Sequence, residues 1–246
     1  MIQIKKPKPP KILQSKGKAK QKEFCQAYDK GIREFDFDEE KIYNDTVVKE
    51  TLIKAQHGKC CYCESKFTAN SPGDVEHFRP KTAYQQKKGE KLVKPAYYWL
   101  AFEWKNLFFS CEVCNRSHKK NLFPLQNPTN RATSHNNDIN QEELLFIHPE
   151  NDNPEAFISF RGVIIFSIDG NQRGIETIKG TGLDRIELEE KRRRHLELLQ
   201  SLYEVANANP ELPTSKRAME KLKKCASKES EFSSMVKAAL TDEFKY

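Results

Sequence analysis

The sequence predicts an α+β fold in which a four-cysteine metal knot ties a small strand-bearing core to a mainly helical C-terminal lobe. Three observations carry that prediction. Two Cys-x-x-Cys pairs, Cys60 with Cys63 and Cys111 with Cys114, bracket the segment richest in unusual chemistry. Two short apolar runs, 157–160 and 163–168, are split by Arg161-Gly162 in the pattern of a β-hairpin. Beyond residue 183, apolar side chains recur at helical spacing almost to the end of the chain.

Taken in order, residues 1–40 open with Lys5, Lys6, Lys8, Lys11, Lys16, Lys18, Lys20 and Lys22 interleaved with prolines. That composition predicts a basic N-terminal arm, flexible or ordered only by a partner. A core domain is expected over 41–130. In it Val47, Val48, Thr51, Leu52 and Ala55 fit one face of a helix over 42–57, stopped near Gly58. Residues 126–141 read as a polar, Asn-rich loop. The segment 131–246 then supplies the hairpin and the helical lobe. One helix is expected over 183–208, with the stripe Leu188, Leu199, Leu202, Ala206 and Pro210 beyond its end. A second begins near Thr214, a plausible N-cap, with the stripe Met219, Leu222, Ala226, Phe232, Val236, Leu240. Such stripes are core far more often than cofactor contacts.

The formal charge of +7 permits nucleic-acid binding without establishing it. Its distribution says more: besides the arm, Lys191-Arg192-Arg193-Arg194-His195 forms a second basic run. No apolar run approaches the roughly 18–20 residues of a spanning helix, and the basic N-terminus lacks the apolar stretch of a secretory signal. A cytoplasmic protein with no membrane association is the expectation.

Seven cysteines, an odd number without an export signal, argue against a disulfide framework and toward metal. Two Cys-x-x-Cys turns complete a tetrahedral four-thiolate site, which is coordinatively closed and therefore structural. The 47 residues between the pairs are no obstacle. Closing such a loop costs about 3–4 kcal/mol, against about 10–16 kcal/mol from structural zinc in small peptides. Cys61 competes with Cys60 for a ligand place, and Cys60 is preferred because it gives the two-residue spacing. A redox Cys-x-x-Cys would come singly. Cys25 and Cys225 read as ordinary thiols.

Between the pairs lies Asp74-Val-Glu76-His77-Phe-Arg79-Pro-Lys81, then Trp104-Lys-Asn106-Leu107, and directly after the second pair Asn115-Arg-Ser-His118-Lys119. Drawing the knuckles together brings Glu76-His77 to face residues 115–119 across a cleft. His77 is the best general base, since imidazole titrates near 6.5 and can take a proton from water at neutral pH.

In order, spacing and residue type these three pieces resemble the HNH endonucleases, whose ββα-metal core the fold would then contain. The segments Lys120–Leu125, Glu143–Pro149 with Asn153-Pro-Glu155, and Gly180–Arg185 are similar to the PtuB-like HNH nucleases of Septu and retron-associated antiphage systems. The resemblance covers roughly residues 40–205. It implies that Glu76 and Asn115 hold a catalytic Mg²⁺ or Mn²⁺, that Asn106 fixes the catalytic loop through backbone hydrogen bonds, and that His77 activates water. His118 is read as a second ligand of that ion or a phosphate contact, and Arg79 and Lys119 as phosphate contacts. The implied function is phosphodiester hydrolysis, on DNA first with RNA as the other candidate, beside a co-encoded ABC/SMC-like ATPase. The alternative is a non-catalytic zinc-ribbon nucleic-acid-binding or scaffold module. Asp74 and Glu112 read as surface acids, and His57, His135, His148 and His195 receive no role. The run Tyr97–Phe102 offers stacking surfaces for bases or, by preference, core.

Overall fold

A computed structural model describes residues 1–38 and 40–245. The first long helix, α1 (Lys18–Asp29), continues a wider-wound turn at Leu13–Gly17. The second, α2 (Thr46–Ala55), starts where the Asp45 carboxylate accepts the Val47 N–H at 2.8 Å, and it buries Val48 and Leu52. It is shorter than the periodicity suggests, because Asp45 caps it; Ile42 stays in the core as irregular chain.

The N-terminal arm, expected to be flexible or ordered only by a partner, is packed here against the chain's own core. Met1, Ile4 and Leu13 are buried, and the Ile4 N–H donates to the Pro149 carbonyl at 2.7 Å. Lys6 lies wholly inside. Its Nζ donates to the Trp104 and Leu107 carbonyls at 2.6 and 3.1 Å, sits 3.2 Å from the Glu150 carboxylate, and rests over the Phe108 ring. Burial holds its pKa down to about 8. Lysine density alone hid the alternating Ile2, Ile4 pattern that anchors the segment.

Strand β1 (Asp74–His77) pairs antiparallel with β2 (Leu107–Ser110), Glu76 opposite Phe108 and His77 opposite Leu107. All four β2 residues are buried, and a helical segment, Val113–Lys119, leaves from the second knuckle. Two strands and a helix thus follow one another around the four cysteines. Farther on, β3 (Ile158–Arg161) and β4 (Ile164–Ser167) form the hairpin, turning at Gly162 with φ +57°.

Helix α3 (Gln172–Thr181) is one that hydrophobic periodicity misses. It is short and polar, and its limits come from Asn171, whose side chain accepts two N–H groups, and from left-handed Gly182. Then follow α4 (Ile186–Ala208), α5 (Pro213–Cys225) and α6 (Ser233–Thr241). The second expected C-terminal helix is therefore two. Residues 227–231 carry no apolar side chain, and Phe232 takes a left-handed φ of +53° that resets the direction of the chain.

One cluster of buried side chains runs through every part of this fold, from Met1 and Phe24 through Val48 and Phe108 to Ile158, Leu199 and Val236. The three expected segments share that core. The aromatic run belongs to it: Tyr97, Tyr98 and Phe102 are buried, and Tyr98 stacks on Tyr28 and Phe35 at 4.9 and 4.7 Å, so its faces are occupied internally. The loop after residue 126 is pinned by buried charge. Arg131 donates to the Tyr97 hydroxyl and the Phe123 carbonyl, while Glu142 accepts from the Tyr97 hydroxyl and the Ala132 N–H. Among the described residues no helix is long and apolar enough to cross a membrane.

Gln56 closes α2 onto the core sheet. Its amide donates to the Phe109 carbonyl at 2.7 Å and accepts the Phe109 N–H at 2.8 Å, as a neighbouring strand would, and it is buried. Replacing it by leucine strips both groups of their side-chain partner. The Phe109 carbonyl keeps the Cys61 N–H at 3.0 Å, so Gln56→Leu is expected to lower the unfolding free energy by about 1–3 kcal/mol, the cost of the orphaned Phe109 N–H. An unchanged denaturant midpoint would show that the amide does not hold the sheet edge.

Candidate active site and metal centre

The sulfur atoms of Cys60, Cys63, Cys111 and Cys114 all lie within 4.8 Å of one another and are buried. The Cys63 and Cys111 sulfurs are 3.9 Å apart. Tetrahedral zinc with Zn–S near 2.3 Å spaces its sulfurs by about 3.8 Å, so the four residues can hold a zinc ion. Cys61 stands outside the cluster; its N–H pairs with the Phe109 carbonyl at 3.0 Å, tying the first knuckle to β2, and burial pushes its thiol pKa well up. Arg185 directs Nη1 at the Cys114 sulfur, 3.5 Å away, the kind of cationic neighbour that steadies a thiolate.

Beside this cluster opens a cleft of about 410 Å³ whose walls include Glu76, His77 and Asn115. The structure brings these three together because β1 and the segment Val113–Lys119 each leave the neighbourhood of a knuckle. His77 donates from or accepts at Nε2 toward Ala101; since a carbonyl only accepts, the Nε2–H donates to it at 2.9 Å and Nδ1 is left as the lone pair. Burial, and then Lys81, press the His77 pKa down to about 3, so the ring is neutral at physiological pH. Both hydrogen bonds to Glu76, from Lys119 Nζ at 2.6 Å and from the Tyr62 hydroxyl at 3.2 Å, fall on Oε1. Oε2 accepts none among the described residues. Burial raises the Glu76 pKa against the opposing pull of Lys119.

Asn106 lies under this loop. Its Oδ1 accepts the Arg79 N–H at 2.8 Å, and its Nδ2 donates to the Arg79 and Leu100 carbonyls at 3.0 and 3.1 Å.

Three expected residues are not brought to the cleft. Lys119 is buried and spent on Glu76 and on the His77 carbonyl, 3.0 Å away, so it has no reach to a phosphate. Arg79 turns outward from β1 to Glu142, with Nε 2.8 Å from its carboxylate. His118 packs against the end of α3: a Cβ at Gly182 would stand 2.2 Å from its Nδ1. The reason is the winding of Val113–Lys119, where the Lys120 N–H reaches back five residues to the Asn115 carbonyl. Wider winding advances each residue by less than the about 100° of an α-helix, so the fourth position beyond Asn115, not the third, returns to its face.

Residues that sequence reasoning passed over take those places. Lys81, Arg116 and Lys120 line the cleft, as does Asp74. Asp74 was legible in principle: alternate residues of a strand share a face, which places it beside Glu76.

No protein-family model matches the chain. It is similar to the Septu protein PtuB of Bacillus mycoides (strain KBAB4), 44% identical over 154 residues, 62% of this chain and 52% of that protein. A Septu protein PtuB of Bacillus thuringiensis is 29% identical over 134 residues, 52% of this chain and 42% of that one. The chain spans about half the length of the curated relatives it matches.

Two outcomes are expected of the site's chemistry. Cys111→Ser should lose bound zinc, measured by atomic emission, together with cooperative unfolding; a folded, zinc-loaded variant contradicts the four-sulfur site. The second concerns His77 and His148, both buried and neutral, with pKa values held down to about 3 and about 4. The unfolded chain takes up protons near pH 6.5 that the native state refuses. Stability is therefore complete above that value and declines as pH falls toward the two native values, by about 1 kcal/mol for each ring at pH 6. His148→Gln keeps an acceptor for the Glu150 and Asn151 N–H groups that His148 Nδ1 now serves. It should flatten the fall in urea midpoint between pH 7.5 and 5.5; parallel slopes would remove His148 from the account.

Proposed function

We propose that this PtuB-like chain is a metal-dependent HNH-type endonuclease acting in antiphage defence, and that the cleft beside the cysteine cluster is its active site. The observation that carries the reading is the meeting, on one cleft, of a neutral imidazole with a fixed tautomer and two oxygen donors that nothing else occupies. Glu76 Oε2 and Asn115 Oδ1 form a hard, oxygen-only donor pair, which suits Mg²⁺ or Mn²⁺ better than a thiophilic metal. Bound there, the ion would polarise the scissile phosphate and neutralise the leaving oxygen.

The chain's own residues do the rest. Nδ1 of His77 accepts the proton of the attacking water, and the Nε2–H bond to Ala101 keeps the ring from turning as charge arrives. An anionic phosphate in the cleft favours the imidazolium, which offsets the acidifying effect of burial while substrate is bound. Asn106 braces the turn after β1 by holding both backbone polar groups of Arg79, so the ring is carried on a loop that does not shift. Lys119 fixes Glu76 through Oε1 and aims Oε2 outward. Lys81 supplies positive charge on the cleft wall.

DNA is the proposed substrate. The reading includes an ABC/SMC-like ATPase partner, which would dock on the helical lobe, since the N-terminal arm is already engaged by the chain's own core. A purely binding zinc-ribbon module would have no use for an imidazole with one nitrogen tied and the other free. Plasmid nicking with Mg²⁺ or Mn²⁺ tests the proposal. His77→Ala should lose cleavage by about 10²-fold or more while keeping its zinc and its thermal midpoint. Cleavage at the wild-type rate in that variant would sink the mechanism.

A further inference from the structure

Asp74 touches two residues of the cleft at once. Its Oδ2 accepts from Asn115 Nδ2 at 3.0 Å and from Arg116 Nε at 2.8 Å, and its Oδ1 accepts from Arg116 Nη2 at 2.6 Å. The fork to the guanidinium is bidentate, which fixes the plane of Arg116 although that side chain is 64% exposed. The carboxylate itself is 13% exposed and lies on the β1 face shared with Glu76.

We propose that Asp74 is the positioning residue of the ion site, turning the Asn115 carboxamide so that its oxygen faces the ion and holding Arg116 so that Nη1 faces the substrate phosphate. The proposal rests on the nuclease reading above and deepens it. A carboxylate accepts hydrogen bonds and donates none, so an amide beside it must present its NH₂ group. That choice directs Oδ1 the other way. Without Asp74 the two amide orientations differ little in energy, and one of them offers N–H donors to a cation, which repels it. For Arg116 the fork uses Nε and Nη2, leaving Nη1 without a partner among the described residues. Arg116 thereby takes the phosphate-binding place that Arg79 and Lys119 cannot fill.

Charge and orientation can be separated, because Asp74 and Arg116 cancel each other. Asp74→Leu removes the orienting acceptor and one negative charge; the double variant Asp74→Leu/Arg116→Met removes the acceptor with net charge unchanged. Mn²⁺ binding to the zinc-loaded protein, followed by the electron paramagnetic resonance of free Mn²⁺, should weaken about tenfold in both. Arg116→Met alone should bind Mn²⁺ within twofold of the wild type, and its KM for an oligonucleotide should rise severalfold with little change in kcat. Asp74→Asn, nearly isosteric, is measured alongside as the variant certain to keep the strand, and should show a smaller loss. Wild-type affinity in Asp74→Leu and Asp74→Asn overturns the role given to Asp74, and so does recovery of affinity in the double variant, which would reduce Asp74 to a charge. A wild-type protein that takes up no Mn²⁺ at all removes the ion site itself, a distinguishable failure.

Discussion

Four sulfur atoms gathered within 4.8 Å impose the constraint from which the rest of the structure follows. They fix the ends of a 47-residue excursion whose regular structure is the four-residue strands β1 and β2 and two single helical turns. A chain so poor in helix and sheet cannot hold a cleft by its own hydrogen-bond ladder. It is held by the cluster at both ends, by Gln56 on the Phe109 backbone beside it, and by ion pairs buried between.

Those buried pairs draw several basic residues, each with its acid, into the interior. Lys6 is enclosed by carbonyls and Glu150, Lys59 sits 3.2 Å from Glu64, Lys119 2.6 Å from Glu76, and Arg79 2.8 Å from Glu142. Each pair costs desolvation that it recovers only through close geometry, and breaking one member leaves the other uncompensated. In Glu64 the balance is clear: burial pushes the carboxyl up, yet the N-terminal ammonium and Lys59 outweigh it and hold the group well below the usual carboxylate range. Such pairs lower the number of charges at the surface and leave the net charge of +7 to the rest of the chain.

What could be read beforehand divides along the same line. The cysteine spacing, the hairpin and α4 were legible because each rests on a local pattern: ligand spacing, period two about a Gly turn, period near four over a long run. Cys60 was correctly preferred to Cys61 on spacing alone. The N-terminal segment was misjudged because its lysines are conspicuous and its two buried isoleucines are not. Helix α3 escaped because its buried stripe, Gly174, Thr177, Ile178 and Thr181, holds a single large apolar side chain, and α5 and α6 merged because apolar residues resume at helical spacing from Phe232 after the gap at 227–231. In the cleft, Asp74 and Arg116 were overlooked, and His118 was placed on the face of Asn115 by assuming an ordinary helix, from which the winding of Val113–Lys119 departs. Arg79 follows from strand alternation just past β1, a point where the chain has already turned.

Arg185 lies between α3 and α4, and its Nη1 donates to the Gly182 carbonyl at 2.6 Å and to the Cys114 sulfur at 3.5 Å. The residue next to Cys114 is Asn115. One guanidinium, one sulfur and one peptide bond thus connect the start of the 23-residue helix α4 to the wall of the cleft. The end of α3, the start of α4 and the wall of the cleft therefore share one anchor at the Cys114 sulfur.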